Sequence, residues 1–174
     1  MKVQARASAL NRRQALMSGM CLLLPAAAAQ AQVQAQSQAQ TKAQARPAPL
    51  LVEVWKSPTC GCCKDWVTHM EANGFRTVVH DTGNTAVRGR LGIATKYGSC
   101  HTARVGGYAI EGHVPAADIR RLLKERPQAI GLAVPGMPVG SPGMDGPEYQ
   151  GRKDPYNVLL IALDGSASIY QPHR

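Results

Sequence analysis

Apolar and polar positions lay out short strands and amphipathic helices in alternation between residues 50 and 126. Leu50-Leu51-Val52-Glu53-Val54-Trp55 reads as a strand, and Lys56-Ser57-Pro58-Thr59 as the turn that ends it. Cys63, Trp66, Val67 and Met70 then recur at i, i+3, i+4 and i+7, one face of a helix, and Asn73-Gly74 supplies its stop. Residues 76–81 predict a second strand and with it a parallel βαβ start. Asn84 caps a short helix through Leu91, and a loop follows over residues 95–99. Residues 100–105 predict a third strand, which Gly106-Gly107 turns into Tyr108-Ala109-Ile110-Glu111, a hairpin pattern. Pro115 suits the first turn of another helix, with Ala117, Ile119, Leu122 and Leu123 as its apolar positions and Pro127 as its end.

The order β-α-β-α-β-β-α, with a CxxC where the first strand meets its helix, is that of a thioredoxin-like α/β domain with a central mixed sheet and flanking helices. The tail departs from that minimal plan. Residues 133–149 hold four prolines, four glycines and two methionines, which predicts an extended loop. Residues 156–163 then read as a strong strand, and Asp164-Gly165 turns it into Ser168-Ile169-Tyr170. This C-terminal hairpin is expected to pack on the sheet or extend its edge.

The first residues belong to targeting rather than to the fold. Lys2, Arg6, Arg12 and Arg13 make a basic start, and residues 15–29 form an apolar run too short to span a bilayer comfortably. Residues 1–31 thus read as a signal peptide, and the mature chain as exported to the periplasm without a membrane anchor. Asn11-Arg12-Arg13-Gln14 also fits a twin-arginine signal, so the export route stays open. Met20 before Cys21 argues against a lipid-modified cysteine. Residues 32–49, rich in Ala, Gln and Pro, cannot bury a core and read as a flexible tether. The formal charge of +9 is concentrated here: residues 1–49 carry six basic side chains and no acid. The remaining domain, residues 50–174, has fourteen basic and eleven acidic side chains, with no basic run interleaved with aromatics. Nothing in it points to nucleic acid.

Chemistry concentrates on sulfur. Cys60-Gly61-Cys62-Cys63 opens the first helix, where the partial positive charge of the helix N-terminus favours thiolate. Cys60 and Cys63, one turn apart, can bridge or share a metal ion. Cys62 is the unusual addition, because a dithiol enzyme needs two sulfurs whereas a metal cluster gains a ligand from the third. A static disulfide with a spare thiol is the plain structural alternative. Cys100-His101 enters the third strand at the sheet end near the CxxC, although both residues reach one side only if the strand starts irregularly. His113 follows the hairpin and can face the same place. Met137 and Met144, in the Pro/Gly-rich loop, offer thioether sulfur, a soft ligand; filling an apolar groove is the alternative for each. His69, His80 and His173 read as structural or solvent-facing, and Trp66 as core.

Several of these stretches recur together in one family. Ser57-Pro58-Thr59-Cys60-Gly61-Cys62-Cys63, Ser99-Cys100-His101-Thr102, Gly106-Gly107-Tyr108, Glu111-Gly112-His113-Val114-Pro115 and Gly131-Leu132-Ala133-Val134-Pro135-Gly136-Met137-Pro138 follow in this order. The chain resembles the CopG-type copper-resistance proteins over residues 51–172. That resemblance implies a thioredoxin-like fold, a periplasmic location and copper, Cu(I) or Cu(II) and more than one ion, held near the CxCC segment. It also implies a role in copper handling or redox conversion, with other periplasmic copper-handling proteins as partners. The donor set of thiolate, imidazole and thioether agrees with a soft ion, and zinc is the less suited choice. Two other readings stay in view: a thiol-disulfide oxidoreductase using Cys60 and Cys63, and a copper chaperone without catalysis.

Overall fold

The computed structural model describes residues 49–174. The signal segment and all but the last residue of the tether therefore lie outside the described residues. Among the described residues, seven strands and three helices follow in chain order: β1 (Leu51–Lys56), α1 (Gly61–Ala72), β2 (Arg76–His80), α2 (Thr85–Arg90), β3 (His101–Val105), β4 (Tyr108–Glu111), α3 (Ala116–Glu125), β5 (Ala129–Ala133), β6 (Tyr156–Ala162) and β7 (Ala167–His173). Single 3-10 turns lie at Thr95–Tyr97 and Pro147–Tyr149. No helix among the described residues is long and apolar enough to cross a membrane.

One mixed sheet runs in the order β2-β1-β3-β4-β5-β6-β7. β1 pairs parallel with β2 and antiparallel with β3, and β3 pairs antiparallel with β4. The alternation along each strand sorts side chains between two faces. Val52 and Val54 of β1, Ala103 and Val105 of β3, and Ile110 of β4 join Trp66 and Met70 of α1 and Ile119 and Leu122 of α3 in the larger core. Each fully buried Leu or Ile of this set contributes about 2 kcal/mol. Ala109, Ala133 and Ile161 point the other way, into a smaller cluster with Ile93 beyond α2.

Most predicted elements agree with those observed to within a residue or two. β5 is the exception: the sequence pattern assigns no element to residues 128–132 and gives Ala133 to the loop, yet residues 129–133 form an inner strand parallel to β4. The strand bulges at Gly131, where a Cβ would collide with the Ala109 carbonyl oxygen, so only glycine lets the two backbones approach. β5 is also what places the terminal hairpin. β6 pairs antiparallel with β5 and β7 with β6, which extends the sheet at one edge. The extended loop, residues 134–155, folds back over α1. Gly143 lies so close that a Cβ there would stand 2.5 Å from the Cys62 carbonyl oxygen and 2.7 Å from the Trp66 nitrogen.

Candidate metal centre

The turn after β1 is closed by the Cys60 N–H donating to the Ser57 carbonyl at 3.1 Å, and helix α1 starts at the next residue. Cys60 and Cys63, with Cα atoms 5.4 Å apart, form a disulfide. Cys62 and Cys100 are free thiols, each partly exposed. Cys62 Sγ stands 3.6 Å from Cys60 Sγ and 3.9 Å from Cys100 Sγ. Cys63 is fully buried, its sulfur 3.6 Å from the Cys100 carbonyl oxygen. The four sulfurs all lie within 4.8 Å of one another.

A second group shares Cys100. The regular part of β3 begins at His101, so Cys100 precedes the strand and escapes its alternation. Its sulfur is 3.5 Å from His101 Nδ1 and 3.1 Å from His113 Nε2. His113 Nδ1 donates to the Pro142 carbonyl at 2.8 Å, which fixes the tautomer and leaves Nε2 free as a lone pair facing the thiol. His101 is fully buried, packed against Trp66 at 4.4 Å between ring centroids and edge-on to His113 at 5.0 Å. Its Nε2 has no hydrogen-bond partner. The nitrogen that faces the Cys100 sulfur is Nδ1, on the other side of the ring from this unpaired atom.

Electrostatics keeps the uncharged groups in place. Burial, then the neighbouring Cys62, pushes the Cys100 thiol up to about 12. Burial holds His101 well below the ordinary histidine value, and the adjacent His113 adds to this. His113 is lowered by burial too, against the opposing pull of the Pro142 carbonyl and Asp145. Neutral imidazole is the ligating form, and a thiol gives up its proton when it takes a metal, so binding at this group would release protons. With two sulfurs and two nitrogens free, and two further sulfurs in the disulfide, the residues present fit a soft or borderline metal ion.

Six of the eight sequence-predicted donors thus meet in two overlapping groups. The methionines sit in the loop above. Met137 is half exposed, while Met144 is buried and its sulfur accepts from the Tyr149 hydroxyl at 3.4 Å. The other histidines have structural partners. His69 Nε2 accepts from the Ala116 N–H, His80 stacks on Trp55, and His173 pairs with Asp118. Trp66 is core, and its indole N–H donates to the Val114 carbonyl at 2.9 Å. Sequence reasoning missed Glu111 and Arg88, which form a buried ion pair just behind Cys100. The signal was present, since a carboxylate closes an otherwise apolar four-residue strand directly before Gly112-His113.

Residues 97–144 match a family described as "Protein of unknown function, DUF411". The curated proteins contain no match. Two solved structures are similar over nearly their whole length. The first, titled copper resistance protein copG, form 2, is 47% identical, with a TM-score of 0.67 covering 72% of this chain and 99% of its own. The second, form 1, is 48% identical, with a TM-score of 0.66 covering 72% and 98%.

Proposed function

Because the chain belongs to the CopG copper-resistance family, we propose that it is a periplasmic copper-binding protein that sequesters or redox-processes copper at its Cys/His centre. Copper is the cargo here. The observation that carries the reading is the convergence on Cys100 Sγ of His101 Nδ1 at 3.5 Å and His113 Nε2 at 3.1 Å, beside the sulfurs of Cys60, Cys62 and Cys63. Cys60, Cys62, Cys63 and Cys100 would be the sulfur ligands, and His101 and His113 the nitrogen ligands. Met137 or Met144 would close the site from the loop above.

Two further expectations belong to this reading. A thioredoxin-like fold is supported by the strand order β2-β1-β3-β4, with a helix between β1 and β2 and the CxxC at the end of β1. Export is supported by the basic start and the short apolar run of residues 1–31.

The Cys60–Cys63 disulfide favours a second reading, a thiol-disulfide oxidoreductase. Metal quantification with copper-edge X-ray absorption on anaerobically reduced protein tests the first. Copper above one ion per chain with sulfur and nitrogen scatterers is expected. A reduced protein that stays copper-free with Cu(I) present, yet reduces a model disulfide, would sink it. Cys62→Ser separates the two, since it should impair copper loading and leave a Cys60/Cys63 dithiol enzyme turning over.

A further inference from the structure

Behind Cys100, on the sheet face opposite His101, a buried polar network grips a single residue. Glu111 is fully buried at the end of β4. Its Oε1 accepts from the Ser99 backbone N–H at 2.7 Å and from Arg88 Nε at 2.8 Å, and its Oε2 accepts from the Thr102 hydroxyl at 2.6 Å. Arg88 Nη2 donates to the Ser99 carbonyl at 2.6 Å, and Asn84 Nδ2 reaches the same carbonyl at 3.2 Å. Both peptide groups that flank the Ser99 side chain are therefore held by a charged partner. The Ser99 hydroxyl in turn donates to the Gly136 carbonyl, and the Gly136 N–H donates to the Gly98 carbonyl at 3.1 Å.

Burying an ion pair is costly in desolvation, and an apolar pair of similar volume is often as stable. What this pair fixes that an apolar pair would not is the position of a backbone segment. Segment 98–100 belongs to no helix or strand, and Cys100 projects from it. We propose that Glu111 and Arg88 are positioning residues for the Cys100 thiol. By holding both sides of Ser99 they keep Cys100 Sγ 3.1 Å from His113 and 3.9 Å from Cys62, where a shared ion would need it. Only the purpose of the device rests on the copper reading; the placement of the thiol does not.

The test uses metal-free protein with the Cys60–Cys63 disulfide intact. Iodoacetamide labelling followed by peptide mass spectrometry reads Cys62 and Cys100 separately. Glu111→Gln keeps the shape of the side chain and removes its charge from Ser99 and Arg88. Cys100 should then label about tenfold faster, the factor set by one charge-assisted hydrogen bond, with Cys62 within about twofold of its original rate. Arg88→Lys keeps the positive charge and loses the fork that reaches the Ser99 carbonyl, so a smaller rise of about threefold is expected, again at Cys100 alone. If Glu111→Gln does not fold, Arg88→Lys decides. Equal acceleration at both thiols, or no acceleration at Cys100, overturns the proposal. Because no copper is present, a failed copper reading leaves this result standing, and a failed clamp leaves the copper reading, which rests on the donor atoms themselves, where it was.

Discussion

Acidification is a perturbation whose cost can be worked from the two imidazoles of the centre. His101 and His113 are both fully buried, and burial lowers each below the ordinary histidine value. In the unfolded chain each takes up a proton near pH 6.5, whereas the folded chain keeps both neutral until its own lower values are reached. Between those limits the unfolded state binds more protons, so stability rises with pH and is lost as pH falls below about 6.5. Each group adds a slope approaching about 1.4 kcal/mol per pH unit, and the pair about 3. Glu111 works in the opposite direction. Burial raises its carboxyl, so the folded chain binds the extra proton between that raised value and the unfolded one, offsetting up to about 1.4 kcal/mol per unit. The net loss is about 1–3 kcal/mol per pH unit on the acid side of 6.5, against a total stability of about 5–15 kcal/mol. Urea midpoints of metal-free, disulfide-intact protein at a series of pH values between neutral and mildly acidic read this directly. His101→Gln should remove its own share of the slope, leaving those of His113 and of the half-buried His69, which burial also lowers. A midpoint that holds steady or climbs as pH falls through the window would refute the reasoning, as would an unchanged slope in the variant.

Other expectations follow from single contacts. Trp66→Phe removes the buried donor of the Val114 carbonyl and part of the ring against His101. It should cost about 2–4 kcal/mol by urea titration, and a loss under about 0.5 kcal/mol would contradict the packing described. Gly131→Val drives a side chain into the Ala109 carbonyl between β4 and β5. It should abolish soluble expression or lower the melting temperature by at least about 10 °C, and a wild-type melt would count against the bulge. Gly143→Ala, at φ +83° against the Cys62 carbonyl, should lift the loop off α1. Proteolytic cutting within residues 134–155 should rise about tenfold, and an unchanged rate would mean that the loop is held elsewhere.

Between residues 50 and 126 the fold was legible because two different periods succeed each other and Gly, Asn and Pro mark the changes. β5 was not legible. Ala129-Ile130-Gly131-Leu132-Ala133 shows no alternation, since an inner strand is covered on both faces, and its glycine reads locally as a breaker. Without β5 the sequence could not decide whether the terminal hairpin packs on the sheet or extends it. The sulfur positions were legible from type and spacing. The joint approach of Cys100 and His101 was less so, because it depends on where β3 becomes regular. Glu111 escaped for a different reason. Its partners Ser99 and Arg88 lie 12 and 23 residues away, beyond any local pattern.

If the centre takes copper as proposed, the disulfide at the head of α1 would make the identity of the preferred ion a property of the surroundings as well as of the chain. While Cys60 and Cys63 are bonded, the centre offers two sulfurs and two imidazole nitrogens. That balanced set suits borderline ions such as Cu(II) or zinc. Two electrons and two protons would turn the disulfide into two more thiols within reach of the other sulfurs, and a thiolate-rich set selects Cu(I). Ambient reduction potential would thus tune hardness at one fixed address, so that the same fold presents a different coordination chemistry on either side of a single two-electron step.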